Sequence, residues 1–341
     1  MSGGTVAGVH SVISDVSVDS DEHGHLVIRW TLAGPDRGVD VAVGPRPDLI
    51  DHAHPVTVPP GQRSLDIDRP PSTRVYVSVS PTGGGSGLVG AERRVLLEGA
   101  INFRDLGGYA TTDGRRTRWG SVFRSDAFHA LTAEDRERFG ELGLRVIYDL
   151  RSDSERISHP NVLPEDETLR SVELILSSGE DASGALPPLE QLLEGSGFLL
   201  GLYRGLVSNG APVFGALLSG LAEPGGLPAV FHCLWGKDRT GIAAALLLTA
   251  LGVPQADVVD DYLLTEQYRS QEDVQTALAR LQVAGVPPEA AAGVVSTPGW
   301  VIDAVLLEIR EQHGDIEGYL LGPAGMERQA LEDLRRILLT D

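Results

Sequence analysis

The chain has 341 residues and carries 48 acidic against 28 basic side chains, a formal net charge of −20. That length accommodates two domains with cores of their own, and the charge argues against a nucleic-acid partner and repels anionic membranes at long range. A single cysteine excludes an intramolecular disulfide and suits a reducing, cytoplasmic compartment.

The first ten residues lack a basic region and a continuous apolar core, so no signal peptide is expected. No stretch reaches the roughly 18 uninterrupted apolar residues of a membrane span. Residues 1–96 read as all-β. Residues 26–32, 39–43 and 74–80 are strand-like, and turn clusters such as Gly34-Pro35-Asp36, Pro59-Pro60-Gly61 and Gly83-Gly84-Gly85 separate them. Short strands at this spacing predict a small β-sandwich domain. Trp30 on an early strand and Tyr76 on a late one resemble the fibronectin type III pattern, which implies binding or spacing of an unknown partner rather than catalysis. His23 with His25, and His52 with His54, share i, i+2 spacing. No cysteine or third ligand accompanies them, so they read as exposed loop residues and no metal is expected.

The composition changes near Glu98-Gly99-Ala100, and residues 97–341 read as a second domain. The segment Ile101-Asn102-Phe103-Arg104-Asp105-Leu106-Gly107-Gly108-Tyr109 sets Arg104 and Asp105 in an apolar context. Such a pair is read either as a buried, mutually satisfied ion pair or as a direct substrate contact. Strands follow at 121–126, 144–152 and 172–176. A helix opens at Thr132, with Glu134 and Asp135 in its first turn. Asp126, Asp149 and Arg151 lie at strand ends, where open α/β sheets place their ligand crevice. Asp149 and Arg151 read as scaffold pinning the loops. Strands alternating with helices predict a mainly parallel sheet covered on both faces. Residues 179–210 are rich in Gly and Pro and then apolar. Helical patterns follow at 257–280, 297–311 and 326–339, the last with Leu331, Leu334, Ile337 and Leu338 on one face. The break at 281–288 parts the helices on either side of it, which read as a helical hairpin completing the core.

The centre of the second domain is residues 227–251. An apolar strand, Leu227-Pro228-Ala229-Val230-Phe231, runs into His232-Cys233-Leu234-Trp235-Gly236-Lys237-Asp238-Arg239-Thr240-Gly241, and a helix follows at 242–251. A strand-to-helix loop presents backbone N–H groups and a helix dipole to an anion. The loop holds the only Cys and the only Lys of the chain. Arg239 can hold two phosphate oxygens at once.

Cys-x5-Arg followed by Thr resembles the phosphate-binding loop of cysteine-dependent protein-tyrosine phosphatases. The ten-residue form resembles the atypical bacterial tyrosine and lipid phosphatases. Asn102-Phe103-Arg104-Asp105-Leu106-Gly107-Gly108, Arg124-Ser125-Asp126 and Asp149-Leu150-Arg151-Ser152 also match that pattern, so the resemblance covers roughly 101–341. It implies an α/β parallel-sheet phosphatase domain that follows the sandwich in the chain, with no cofactor, and offers a helical lid over the site as the alternative to the hairpin at 257–311. The substrate class it implies is phosphotyrosine proteins together with phosphoinositides. A phosphoinositide-selective enzyme and a rhodanese-like sulfurtransferase are the alternatives. In this reading Cys233 is the nucleophile, and Leu234, Trp235, Gly236, Lys237, Thr240 and Gly241 shape the phosphate site with Arg239. Asp238 is the general acid, with Asp181 and Asp126 as alternatives. Thr240 donates to the departing thiolate, and Lys237 adds charge for a second phosphate.

Overall fold

The computed structural model describes residues 11–21, 23–69, 74–176, 196–283 and 285–340, which fall into two compact units, Met1–Val95 and Leu96–Asp341. Glu180 and Asp181 lie outside the described residues.

The first unit holds strands β1 (Ser11–Ser20), β2 (Leu26–Ala33), β3 (Val39–Gly44), β4 (Val56–Val58), β5 (Ser64–Ile67), β6 (Tyr76–Pro81), β7 (Gly85–Ser86) and β8 (Leu88–Ala91). They form two four-stranded sheets, ordered β5-β2-β1-β7 and β4-β3-β6-β8. Along β2, Leu26, Ile28 and Trp30 are buried while Arg29 is exposed, the period-2 alternation of a strand with one wet face. Those three join Val39, Val41, Val77 and Val79 of the other sheet in one core, each side chain stabilising the fold by about 2 kcal/mol. His25 and His54 are exposed and pair with Asp21 and Asp51.

The second unit is mixed α/β. Its sheet runs β12 (Arg170–Glu173), β11 (Val146–Asp149), β13 (Ala229–His232), β10 (Val122–Ser125), β9 (Arg104–Asp105). All pairings are parallel except β9 with β10. The central strand β13 is buried along its whole length, as a strand covered on both faces must be. Register places Ser125 and Asp149 on either side of His232, so three strands end level and the chain leaves their carboxyl edge at Cys233. The helix Asp238–Ala250 continues from there. Ten of its thirteen residues are buried, which explains its low polarity.

The helical surroundings add to the expectation in one place and depart from it in another. The apolar, Gly-containing run after residue 195 is a helix, Ser196–Asn209, and a second helix, Ala211–Ala222, follows it directly with Pro212 in its first turn. The single helix expected over 257–280 is two, Gln255–Tyr268 and Gln271–Val283. The break has a local cause. Arg269 is extended, and Ser270 and Asp273 then cap each other's backbone N–H groups, which starts a new helix. Helices Pro288–Val295, Gly299–His313, Ile316–Leu321 and Arg328–Leu338 complete the unit. Among the described residues no single helix is long and apolar enough to cross a membrane.

Candidate active site

The loop from Cys233 to Lys237 is held by its carbonyls. Leu234 O accepts from the N–H of Ala127 at 3.2 Å. Trp235 O accepts from Asn102 Nδ2 at 3.3 Å. Gly236 O accepts from Asn102 Nδ2 at 3.0 Å and from Arg124 Nη2 at 2.8 Å. Lys237 O accepts from the N–H of Gly241 at 2.8 Å. Four successive carbonyls are thus anchored in the protein, while the N–H groups of Leu234 to Arg239 donate to no protein acceptor among the described residues. Gly236 makes this turn possible. Its φ is +63°, and an added Cβ would lie 2.7 Å from the backbone of Ser125 and Asp126. The result is a cradle of unpaired donors at a helix N-terminus, the arrangement that binds anions. Gly241 packs under the Tyr262 ring, where a Cβ would meet carbons at 3.0 Å.

Behind the loop lies a buried charge network. Arg104 and Arg124 both pair with Asp261, at 3.1 and 2.6 Å, and all three side chains are inaccessible. Tyr109 adds a hydroxyl to the same carboxylate at 2.9 Å. Arg104 also reaches the Asp261 carbonyl, Thr265 and Asn102. Burial, and then the nearby Arg104 charge, bring Arg124 down to about 10. The expected Arg104–Asp105 pair is therefore corrected. Neighbours on a strand face opposite ways: Arg104 turns to Asp261, and Asp105 accepts from the N–H groups of Gly107 and Gly120.

Cys233 is a free, buried thiol, 2% exposed. Arg239 meets Glu155 end-on, both nitrogens at 2.6 Å, and Nη1 also reaches Leu150 O at 3.3 Å. Of the five guanidinium N–H groups, those contacts use both on Nη1 and one on Nη2. The side-on fork of Nε and Nη2 has no protein partner among the described residues, which leaves a two-pronged donor for a phosphate. Burial works against the Arg239 charge, but the Glu155 carboxylate and then Cys233 hold it above its ordinary range. Burial likewise opposes the Glu155 charge, and Arg239 holds that carboxyl below its usual range. Glu155 is also the third residue of the helix Asp153–Ser158, where it and Ser152 form a reciprocal cap.

His232 Nε2 lies 3.4 Å from Asn161 Nδ2 and 3.7 Å from Asp149 Oδ2, and Nδ1 lies 3.2 Å from Cys233 O. Burial takes the His232 imidazole down to about 4, against the pull of Asp149. The ring is therefore neutral near pH 7. Asp149 and Arg151 form a bidentate pair, and Arg151 fastens His159 O and Asn161, a scaffold under the loop. Thr240 Oγ1 is buried without a hydrogen-bond partner among the described residues.

Lys237 is 1% exposed. Its Nζ donates to the carbonyls of Val294 at 2.5 Å and Ser296 at 2.9 Å, and sits 3.3 Å from Asp238 Oδ1. Burial lowers its pKa. The one lysine is thus engaged with the end of the helix Pro288–Val295. That helix and Gln271–Val283 form an apolar cluster of Leu281, Val286, Ala291 and Val295, with Phe198 and the loop's own Trp235 against it. Arg269 stacks over the Trp235 ring at 4.8 Å. The helix pair therefore covers the loop at Trp235. A cavity of about 320 Å³ opens beside it, lined by Asp126, His129, Leu234, Trp235, Arg269 and Arg280 among others.

Asp238 Oδ1 accepts from the Tyr203 hydroxyl at 2.8 Å. Asp126 accepts from the N–H groups of Ile101 and Asn102 and from Ser125 Oγ. Burial nevertheless raises its pKa. Among the described residues no cluster of His, Cys, Asp and Glu has the arrangement of a metal site.

Sequence reasoning missed Glu155, Asp261, Tyr203 and Tyr262. Ser152-x-x-Glu155 is a visible capping signature, and Asp261 and Thr265 break a buried helix face shared with Val258 and Tyr262. Both signals were available.

A model of the tyrosine phosphatase family matches residues 95–340. A Cupriavidus necator protein named as a tyrosine-protein phosphatase is 32% identical over 246 residues, spanning 71% of this chain and 88% of that one. A tyrosine-protein phosphatase of Nostoc commune is 28% identical over 212 residues, 60% of this chain and 69% of its own. A triple specificity protein phosphatase of Mycobacterium tuberculosis is 28% identical over 277 residues, 71% of this chain and 98% of its own.

Proposed function

The chain belongs to the tyrosine phosphatase family and is a phosphatase, and we propose that it hydrolyses phosphomonoesters through a phosphocysteine on Cys233. The observation that carries this is the loop turned by its four anchored carbonyls, with unpaired N–H groups from Leu234 to Arg239 around the one cysteine. A thiolate at a helix N-terminus beside Arg239 is stabilised as the nucleophile. Its sulfur attacks phosphorus. The N–H groups and the free fork of Arg239 hold the non-bridging oxygens, and the ester oxygen departs with a proton from Asp238. Water then displaces the sulfur, returning its proton to Asp238. Thr240 donates its unused hydroxyl hydrogen to the departing thiolate.

The substrates are protein phosphotyrosine and, more widely, phosphoinositides. A relative named for triple specificity supports a site tolerant of different leaving groups. A nucleophile that must stay reduced suits a cytoplasmic setting, and the fibronectin type III-like β unit serves binding of a partner. A second reading of the acid has its own support: Asp126 lines the cavity beside the loop and burial favours its protonated form.

The test is steady-state hydrolysis of p-nitrophenyl phosphate by the full chain. Cys233→Ser is expected to lose at least about 10³-fold in kcat while keeping its fold and its affinity for phosphate. Turnover surviving that change would falsify the cysteine mechanism.

A further inference from the structure

The catalytic loop helix is flanked by two helices that meet over its first residue. Tyr203, on Ser196–Asn209, and Tyr262, on Gln255–Tyr268, are both essentially inaccessible. Their hydroxyls are 2.6 Å apart, and Tyr203 is 2.8 Å from Asp238 Oδ1. A tyrosine has one hydroxyl hydrogen. Against a carboxylate Tyr203 must donate it to Asp238, so Tyr262 supplies the donor between the two rings. The order is then Tyr262 to Tyr203 to Asp238, and each bond polarises the next.

The asymmetry at Asp238 is what matters. Oδ1 receives Tyr203 and lies 3.3 Å from the Lys237 ammonium, whereas Oδ2 has no hydrogen-bond partner among the described residues. The Asp238 side chain remains 27% exposed. One oxygen is anchored by buried groups, and the other has no anchor among the described residues. A carboxyl rotor pinned at one oxygen keeps its second oxygen in one place, which is the requirement for in-line proton transfer.

We propose that Tyr203 is a positioning residue for the proton donor: it fixes Oδ1 of Asp238 so that Oδ2 carries the proton to the leaving oxygen, with Tyr262 holding the Tyr203 hydroxyl in its donating direction. Tyr203 touches neither substrate nor sulfur in this assignment, and acts through Asp238. The proposal rests on the reading of Asp238 as the acid.

The experiment compares kcat/KM for phenyl phosphate and p-nitrophenyl phosphate in the full chain, for wild type, Tyr203→Phe, Asp238→Asn and Tyr203→Phe/Asp238→Asn. p-Nitrophenolate leaves with little help from an acid, and phenolate does not. Tyr203→Phe is expected to lower kcat/KM about tenfold on phenyl phosphate and less than about twofold on p-nitrophenyl phosphate, a hydrogen bond's worth of positioning. Its inhibition constant for inorganic phosphate should not move. Added to Asp238→Asn, it should cause no further loss on either substrate, because the group it positions is already gone.

Equal losses on both substrates, or a weakened phosphate affinity, would show that Tyr203 only packs the core, and would overturn the proposal while leaving Asp238 as the acid. If Asp238→Asn itself shows no leaving-group dependence, the acid is elsewhere and the proposal falls with that reading. Should Tyr203→Phe fail to fold, Tyr262→Phe serves. It keeps the Tyr203–Asp238 bond but removes the donor behind it, and is expected to show the same substrate selectivity at about threefold. No selectivity there overturns the proposal.

Discussion

The two units handle charge in opposite ways. In the β unit ion pairs such as Arg29 with Asp19, Arg46 with Asp48 and His54 with Asp51 lie at the surface, and the buried Arg74 rests on the Tyr76 ring and donates to its hydroxyl. Its core holds aliphatic side chains and Trp30. In the phosphatase unit Arg104, Arg124 and Arg151 are among the most deeply buried side chains, and they pair with the equally buried Asp261 and Asp149. A sandwich that only has to stand needs no buried network of paired charges, and burying a charge carries a desolvation penalty of several kcal/mol. The phosphatase unit accepts that penalty beside its loop. Arg124 and Asn102 grip Gly236 O, and the loop's N–H groups are left without protein acceptors among the described residues. The buried charges are the scaffold of a binding geometry more than a source of net stability.

The comparison breaks most visibly at Asp261. Asp261→Asn removes the shared carboxylate and leaves two buried guanidinium groups without their counterion. The expected loss is about 3–5 kcal/mol in urea unfolding of the phosphatase unit, followed by residue-resolved hydrogen exchange in the full chain. A loss below about 1 kcal/mol would mean that the arginines find other partners, and that the contrast between the units is geometric only.

A smaller effect is expected from pH, through His232. Its folded value of about 4 lies below the ordinary 6.5 because burial penalises the imidazolium, with Asp149 opposing and Arg151 and Arg239 adding to the fall. The unfolded chain therefore takes up the proton first. The contribution of neutral His232 is complete above about pH 6.5 and is lost as pH falls toward 4, roughly 3 kcal/mol across the window. Asp149 and Glu155, both held low in the folded protein, lose their contributions further into acid. Between pH 6.5 and 4.5 His129, also held down by burial, adds to the slope and buried Asp126, held up, opposes it, so the part due to His232 is the difference between wild type and a His232 variant. Unfolding free energies of wild type and His232→Asn should converge there, and parallel curves would show that His232 takes up a proton in place.

Much of the site was legible because it is contiguous. Cys233, Gly236, Asp238 and Arg239 sit in one loop, and strand-to-helix turns have a local signature. The parallel sheet followed from alternating patterns, and the β unit from period-2 burial in strands such as β2. What could not be read was which distant side chain completes each group. Glu155 is visible as a cap, but its second duty joins a residue 84 positions away. Asp261 reads as a polar interruption of a buried face, with nothing local naming Arg104 and Arg124 as its partners. Tyr203 belongs to no motif, and its role exists only where two helices cross. The sequence reading gave Lys237 to the substrate. The structure shows its ammonium on Val294 and Ser296, a contact set by a helix that starts fifty residues on.

The smallest expected effect sharpens the comparison from the other side. Arg29 and Asp19 approach to 3.1 Å across β1 and β2, but their side chains are 54% and 64% exposed. Water screens the attraction, and ordering two long side chains offsets much of what remains. A double-mutant cycle of Arg29→Ala and Asp19→Ala, read by hydrogen exchange of the β unit in the full chain, should give a coupling below about 0.5 kcal/mol that fades further in 0.5 M salt. Arg29 lies on the wet face of β2, opposite in direction to Ile28 and Trp30, so its removal leaves the core untouched. A coupling above about 1 kcal/mol would mean that surface charge also builds the sandwich, and the two units would then differ in where they place charge but not in how much they depend on it.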